Sequence, residues 1–318
     1  MTVPHLALKV DVNSYRGTRE GVPRIVDVLK RHQAQATFAF SLGPDHSGRT
    51  LKRMFQRGAL AQARRTSALK RYGARSLLYG TLLPGPDIGK QCADQMRTVR
   101  DAGYEVAIHA FNHVKWQDSV DDEEYRWTLS EMEQACERFR EIFGADPKIH
   151  AAAGWRMNRH AMRLTQRLGF DYCSDSRGSH PFVPAQKAEV IACPQLPTTL
   201  PTTDEVVGLD GANASNVVNR LLDRTRMCPP NGHVFTLQAE SDGLGDVAIL
   251  DGLLEGWRDQ GYELCSLTGY FEWLPEKNLP RHEVVRGAVP GRAGTLMLQG
   301  PSFLAPVPTE SLIQPKIS

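Results

Sequence analysis

At 318 residues, with 41% apolar and 23% charged positions, the chain is long and apolar enough to bury a substantial core, which excludes disorder for most of its length. No stretch approaches the roughly 20 consecutive apolar residues that cross a bilayer, and Met1 to Leu8 carry neither a basic leader nor a cleavable apolar segment, so a cytoplasmic protein is expected. The formal net charge of +2 conceals an asymmetry: from His46 to Pro86 there is no acidic residue, while Arg49, Lys52, Arg53, Arg57, Arg64, Arg65, Lys70, Arg71 and Arg75 are basic.

Short apolar runs alternate with helical patterns, which points to repeated strand-helix units around a parallel sheet or barrel. Leu6 to Val10 reads as the first strand. A helix starts near Pro23, a residue suited to a first helical position, and carries Ile25, Val28 and Leu29 on one face. Ala36 to Phe40 is the second strand; the basic insertion then interrupts the rhythm. A helix over 87–102 stops at Gly103 and leads into the strand Tyr104 to Ile108. The clearest helix spans 121–143, with Tyr125, Leu129, Met132, Cys136, Phe139 and Phe143 at three- and four-residue spacing. Further units are strand 148–152 with helix 159–168, strand 170–174, helix 215–226 with strand 233–237, and helix 247–260 with strand 262–265. The Pro-rich connection 175–204 is long enough to suggest a functional loop. Residues 301–318 hold four prolines and no periodicity, the mark of a loose tail. Cys92, Cys136, Cys173, Cys193, Cys228 and Cys265 are scattered without a C-x-x-C pair and read as reduced, mostly buried thiols.

Ligands of parallel α/β sheets gather at the carboxyl ends of the strands, so polar residues just after strands are the first candidates. Asp11 and Asn13 follow the first strand, His109 and His113 the strand ending at Ile108, and Gln238 with Glu240 the strand ending at Leu237. His109 and His113, at i and i+4, would share one face of a helical turn and could reach one divalent ion; the alternative is two ordinary polar histidines at a helix start. Asp11 reads either as a functional carboxylate or as a cap or partner of Arg16 or Arg19. Arg156, after Trp155, is a surface cation or an inward guanidinium that fixes a carboxylate.

These residues together resemble the NodB-homology polysaccharide deacetylases, and within them the ArnD-like subfamily of 4-deoxy-4-formamido-L-arabinose-phosphoundecaprenol deformylases. The resemblance runs from about residue 6 to residue 300. It rests on Lys9-Val-Asp-Val-Asn13, Arg16-Gly-Thr-Arg-Glu-Gly-Val-Pro23, Ser41-Leu-Gly-Pro-Asp45, His109-Ala-Phe-Asn-His113, Ala151-Ala-Ala-Gly-Trp-Arg156, Ser174-Asp-Ser-Arg-Gly178, Leu200-Pro-Thr-Thr-Asp-Glu205 and Val285-Arg-Gly287.

The resemblance implies an α/β fold, a distorted (β/α) barrel of the NodB-homology type over residues 1–300, with a basic helical insertion at about 46–86 and the tail 301–318. It implies a metal-dependent hydrolase that removes formyl from a 4-formamido-arabinose carried on undecaprenyl phosphate, as in lipid A modification and polymyxin resistance. Asp11 takes the place of the general base and Arg156 that of the residue orienting it. Asn13, His109 and His113 take the places of the metal ligands, a donor set that suits zinc, manganese and cobalt alike. Trp155, Arg177, Asp204 and Glu205 are the implied substrate-binding residues. Two departures fall on the chemistry: Asn13 stands where the family has an acid, and Gln238 stands where it has a histidine acting as general acid. A neutral amide can hydrogen-bond an oxyanion but cannot supply the leaving amine with a proton, a role left to Glu240, Asp242 or a water. The two amides together keep open a weakly active or non-catalytic binder of a lipid-linked sugar, or a deacetylase of another amino sugar. The basic insertion suits peripheral contact with the cytoplasmic face of the inner membrane, with Leu51, Met54, Phe55, Leu60, Leu69, Tyr72, Leu77 and Leu78 dipping into the interface. A solvated helical hairpin is the plainer alternative; nucleic acid is not expected, for want of an interleaved base-stacking motif.

Overall fold

A computed structural model describes residues 3–50, 76–274 and 278–304. Strand β1 (His5–Val12) is the centre of the molecule. On one side it pairs with β8 (His233–Gln238); on the other its first half pairs with β9 (Glu263–Cys265) and its second half with β2 (Thr37–Ser41). The sheet continues through β3 (Glu105–Ala110), β4 (Ile149–His150) and β5 (Tyr172–Cys173), and every pairing is parallel. Between β5 and β8 extended chain takes the place of a strand. Leu196 N donates to Cys173 O (2.7 Å), Thr198 N to Ser176 O (3.0 Å) and Thr199 N to Val234 O (3.0 Å). The expected barrel is therefore present and distorted at that gap, because a stretch with prolines at 194, 197 and 201 cannot supply a full ladder of N–H donors.

Strand periodicity builds two cores. Leu6, Leu8, Val10 and Val12 of β1, with Phe38, Phe40, Ile108, Phe235 and Leu237, pack outward under the helices. Ala7, Ala39, Ala107, Ala151 and Val234 face inward with Tyr172 and Leu196. The outer layer is made by α1 (Val22–Arg31), α2 (Ile88–Gln91), α3 (Ala93–Asp101), α4 (His113–Ser119), α5 (Tyr125–Phe143), α6 (Arg159–Arg167), α8 (Val217–Thr225) and α9 (Val247–Asp259). The helix expected over 87–102 is two helices, interrupted at Cys92, and the one expected from 121 begins at Tyr125.

The connection 175–204 is more ordered than expected. It contains β6 (Val183–Gln186) and β7 (Glu189–Val190), and leads into the single turn α7 (Thr203–Val206). With β10 (Arg281–Gly287) and β11 (Leu296–Ser302) these strands form a second sheet, ordered β11-β10-β6-β7. Strand β10, with mostly exposed or half-buried residues, lacks the apolar run that announces a strand in sequence. Helix α10 (Leu267–Trp273) was likewise not anticipated. β11 carries the ordered chain past residue 300, and 305–318 lie outside the described residues. So do Lys52, Arg53, Arg57, Arg64, Arg65, Lys70, Arg71 and Arg75 of the basic insertion, along with Leu51, Met54, Phe55, Leu60, Leu69 and Tyr72. No described helix is long and apolar enough to cross a membrane.

Candidate active site

The inward-facing alternation that puts Ala7 in the inner core also turns Lys9 and Asp11 inward, and brings Asn13 to the strand's carboxyl end. Asp11 stands opposite Gln238 in the β1–β8 register. The sequence-predicted residues Asp11, Asn13, His109 and Gln238 are thereby gathered at one rim, all buried. His113 is buried too, but it does not share a helical turn with His109. His109 belongs to β3, whereas His113 opens α4, where the Asn112 side chain caps Lys115 N at 3.0 Å.

His109 is held on both sides. Its Nδ1 lies 2.7 Å from the Ala151 carbonyl oxygen and its Nε2 3.1 Å from Asn13 Oδ1. The carbonyl can only accept, so Nδ1 carries the hydrogen. Burial, above all, holds the ring's pKa below the ordinary histidine value and favours the neutral form, which leaves Nε2 as a lone pair. Asn13 Oδ1 is also an acceptor, since the amide nitrogen of Asn13 donates to Glu240 Oε2 at 3.1 Å. With the ring neutral, two buried acceptors face each other here. That is the arrangement a cation resolves, and a separation of 3.1 Å suits two donors of one ion bound at about 2.0–2.2 Å from each. The donor set therefore fits a divalent metal.

Glu240, on the π-helical turn Ala239–Gly243 after β8, is completely engaged. Its Oε1 accepts from Asn13 N (3.0 Å), Ser14 N (2.9 Å) and Ser14 Oγ (2.7 Å). A second π-helical turn, Gly17–Gly21, packs against the first, and a side chain at residue 17 would put its Cβ 2.1 Å from Glu240 Oε1. Gly17 is required for that close approach. The anticipated role of Glu240 as proton donor does not suit a carboxylate so fully occupied as an acceptor. Asp242 is similarly committed, accepting from Gln238 N at 2.7 Å.

The cation beside Asp11 is Lys9, whose Nζ stands 3.6 Å from Asp11 Oδ1 and donates to Ser174 O at 3.1 Å. Burial pulls the pKa of this fully enclosed ammonium down, against the opposing pull of Asp11 and Asp175. Arg156, expected to orient Asp11, is directed elsewhere: Nη1 donates to the Gln117 carbonyl (2.7 Å) and lies 3.8 Å from Asp121. It follows the left-handed pair Gly154 and Trp155 (φ +68° and +53°), where the chain turns sharply, and Trp155 rather than Arg156 takes the buried place. Lys9 was missed as an individual residue, although a lysine inside an apolar strand was a visible signal.

Trp155 is the floor of a second cluster. Lys9, Arg177 and Arg292 lie over its ring at 5.2, 5.0 and 4.5 Å, each within cation–π range. Glu205 joins the two arginines, at 2.7 Å from Arg177 Nη1 and 2.8 Å from Arg292 Nε, and closes a capping box with Thr202 at the start of α7. Asp204 accepts from Thr202 Oγ1 (2.6 Å) and from Gln238 Nε2 (3.5 Å), linking this cluster to the rim of Asp11. The four expected substrate-binding residues are therefore brought together, and Arg292 joins them unforeseen.

A family model for polysaccharide deacetylases matches residues 2–173. The chain is 34% identical over 300 residues to a protein of Shewanella sediminis named 4-deoxy-4-formamido-L-arabinose-phosphoundecaprenol deformylase ArnD, covering 93% of this chain and 95% of that one. It is 28% identical to a protein of the same name from Wigglesworthia glossinidia brevipalpis, covering 89% and 98%. A crystal structure of a Mycobacterium smegmatis protein, described as a polysaccharide deacetylase, shares the fold with a TM-score of 0.59 at 15% identity, over 91% of this chain and 96% of that one. The chain belongs to the polysaccharide deacetylase family.

Proposed function

We propose that the chain is a metal-dependent amide hydrolase that removes formyl from a 4-formamido-arabinose carried on undecaprenyl phosphate. One observation carries the chemistry: two buried acceptors, Asn13 Oδ1 and His109 Nε2, face each other at 3.1 Å at the rim that also holds Asp11. Similarity to the ArnD deformylases along nearly the whole chain supports the choice of substrate. A divalent ion held by Asn13, His109 and His113 would polarise the formyl carbonyl and acidify a water. Asp11, steadied by Lys9, takes the proton from the attacking water. Gln238, level with Asp11, offers its amide N–H to the oxyanion as the tetrahedral centre forms. Gln238 has no proton to give the leaving amine and Glu240 is occupied, so the proton that Asp11 took passes to the amine, directly or through a water, as the tetrahedral centre collapses. Trp155, Arg177, Asp204 and Glu205 shape the sugar-phosphate side of the pocket.

Contact with an anionic leaflet belongs to the same reading. Leu82 is 80% exposed, beside Leu78 and Leu83, on the described edge of the basic insertion. Each Lys or Arg near such a surface contributes about 1 kcal/mol.

The test is formate release from the lipid-linked formamido sugar by purified protein loaded with metal. Formate, lost in Asp11→Asn, is the expected result. Acetate from a different amino sugar would move the substrate, and no turnover would leave a binding protein. The amide at Gln238 favours a slow enzyme over a fast one, since loss of a general acid costs about 10²–10⁴-fold in rate.

A further inference from the structure

A carboxylate presents oxygen whichever way it turns, but an amide presents oxygen on one side only. With Asn13 at the rim, something must choose which end faces His109. Glu240 is 1% exposed and meets both ends of the decision. Three donors, Asn13 N, Ser14 N and Ser14 Oγ, converge on Oε1, while Oε2 receives the Asn13 amide nitrogen at 3.1 Å. Were the Asn13 amide reversed, its oxygen would meet Oε2, acceptor against acceptor, and its NH₂ would fill the space before His109 Nε2. Gly17 and the paired π-helical turns hold the carboxylate where it enforces this choice.

We propose that Glu240 is a positioning residue that fixes the Asn13 side-chain amide with its oxygen toward His109, so that a neutral asparagine serves as an oriented metal ligand backed by a buried carboxylate. The inference rests on the metal-dependent reading of the site. It also predicts a reciprocal substitution. In Glu240→Gln the three donors at the Oε1 position demand the glutamine oxygen there, which forces the glutamine NH₂ toward Asn13. Asn13 then turns its oxygen to that NH₂ and its own NH₂ to His109. In Asn13→Asp/Glu240→Gln the new NH₂ meets a carboxylate oxygen, and the other carboxylate oxygen faces His109 again.

The experiment is titration of the metal-free full chain with Co²⁺, read by calorimetry and by visible absorption, on wild type, Glu240→Gln and the double variant, each with its melting curve. The expected result is affinity weakened about 10–100-fold in Glu240→Gln, the range for loss of an outer-shell partner of a metal ligand, and restored to wild-type level or tighter in the double variant. Wild-type binding with an unchanged Glu240→Gln overturns the positioning role and leaves the hydrolase reading standing. A wild type that binds no Co²⁺ overturns the hydrolase reading, and this inference with it. If Glu240→Gln does not fold, the double variant decides: folded and binding more weakly than wild type, it overturns the proposal.

Discussion

His109 on β3 and His150 on β4 occupy neighbouring strands and are about equally buried, at 1% and 2% exposure. His150 Nδ1 faces Asp175 Oδ1 at 2.7 Å. That carboxylate also accepts from Ala152 N (2.7 Å) and from Gln195 Nε2 (3.3 Å). With Cys173, these two side chains are close enough together to hold an ion. But the hydrogen bonds of Asp175 all run from donor to acceptor, and burial pushes the Cys173 thiol well up, away from the thiolate a metal needs. At His109 the pattern is reversed: its second nitrogen faces an acceptor. Proximity of potential ligands therefore separates the two places less well than hydrogen-bond polarity does. The closed network holds β4 to β5, and the acceptor pair leaves room for chemistry.

The contrast can be broken most directly at Asp11. Asp11→Asn should lower formate release about 10²–10⁴-fold, chiefly in kcat; near-normal turnover would remove Asp11 from the chemistry. Asn13→Asp/Glu240→Gln/Gln238→His supplies an anionic ligand with a donor behind it and an acid, and turnover should rise by a factor approaching the same 10²–10⁴. A flat response would mean that the amides are not what limits the rate. On the other side of the comparison, Asp175→Ala leaves the buried donors of His150 and Ala152 without an acceptor and should cost about 1–3 kcal/mol in a denaturant melt, while Co²⁺ affinity of the folded protein stays at wild-type level. Loss of metal binding there would erase the distinction.

The smallest effect sharpens what burial alone does to a histidine. His233 at the start of β8 has its pKa pulled down to about 4 by burial, and Nε2 has no hydrogen-bond partner among the described residues. The unfolded chain takes up this proton near pH 6.5 and the folded chain only near pH 4. Stability from this group is therefore present above pH 6.5 and declines as pH falls between those values, by up to about 1.4 kcal/mol per pH unit. His233→Gln should flatten that slope in melts recorded from pH 7 to 4.

The sheet and its layering were legible because β1, β2, β3 and β8 are apolar runs between helix patterns, and the rim residues were legible because they follow those runs. Three things were not. The second sheet pairs strands of mixed polarity, so periodicity had nothing to detect. The orientation of Arg156 depends on a left-handed turn at Gly154 and Trp155, which residue type alone does not fix. The work of Glu240 depends on which atoms surround it, and the same glutamate reads equally well as an acid, a ligand or a bystander until Ser14 and Asn13 are placed against it.

The bond between Asn13 and Glu240 joins residues 227 positions apart, and the turn at Gly17 packs closely against the turn after β8. A nascent chain therefore contains β1 to β5 long before it contains the carboxylate that orients Asn13. The proposed metal pocket cannot be completed until the segment near residue 240 has been made and docks on one made at the start of synthesis. Chains truncated before that segment would lack the carboxylate that sets the asparagine.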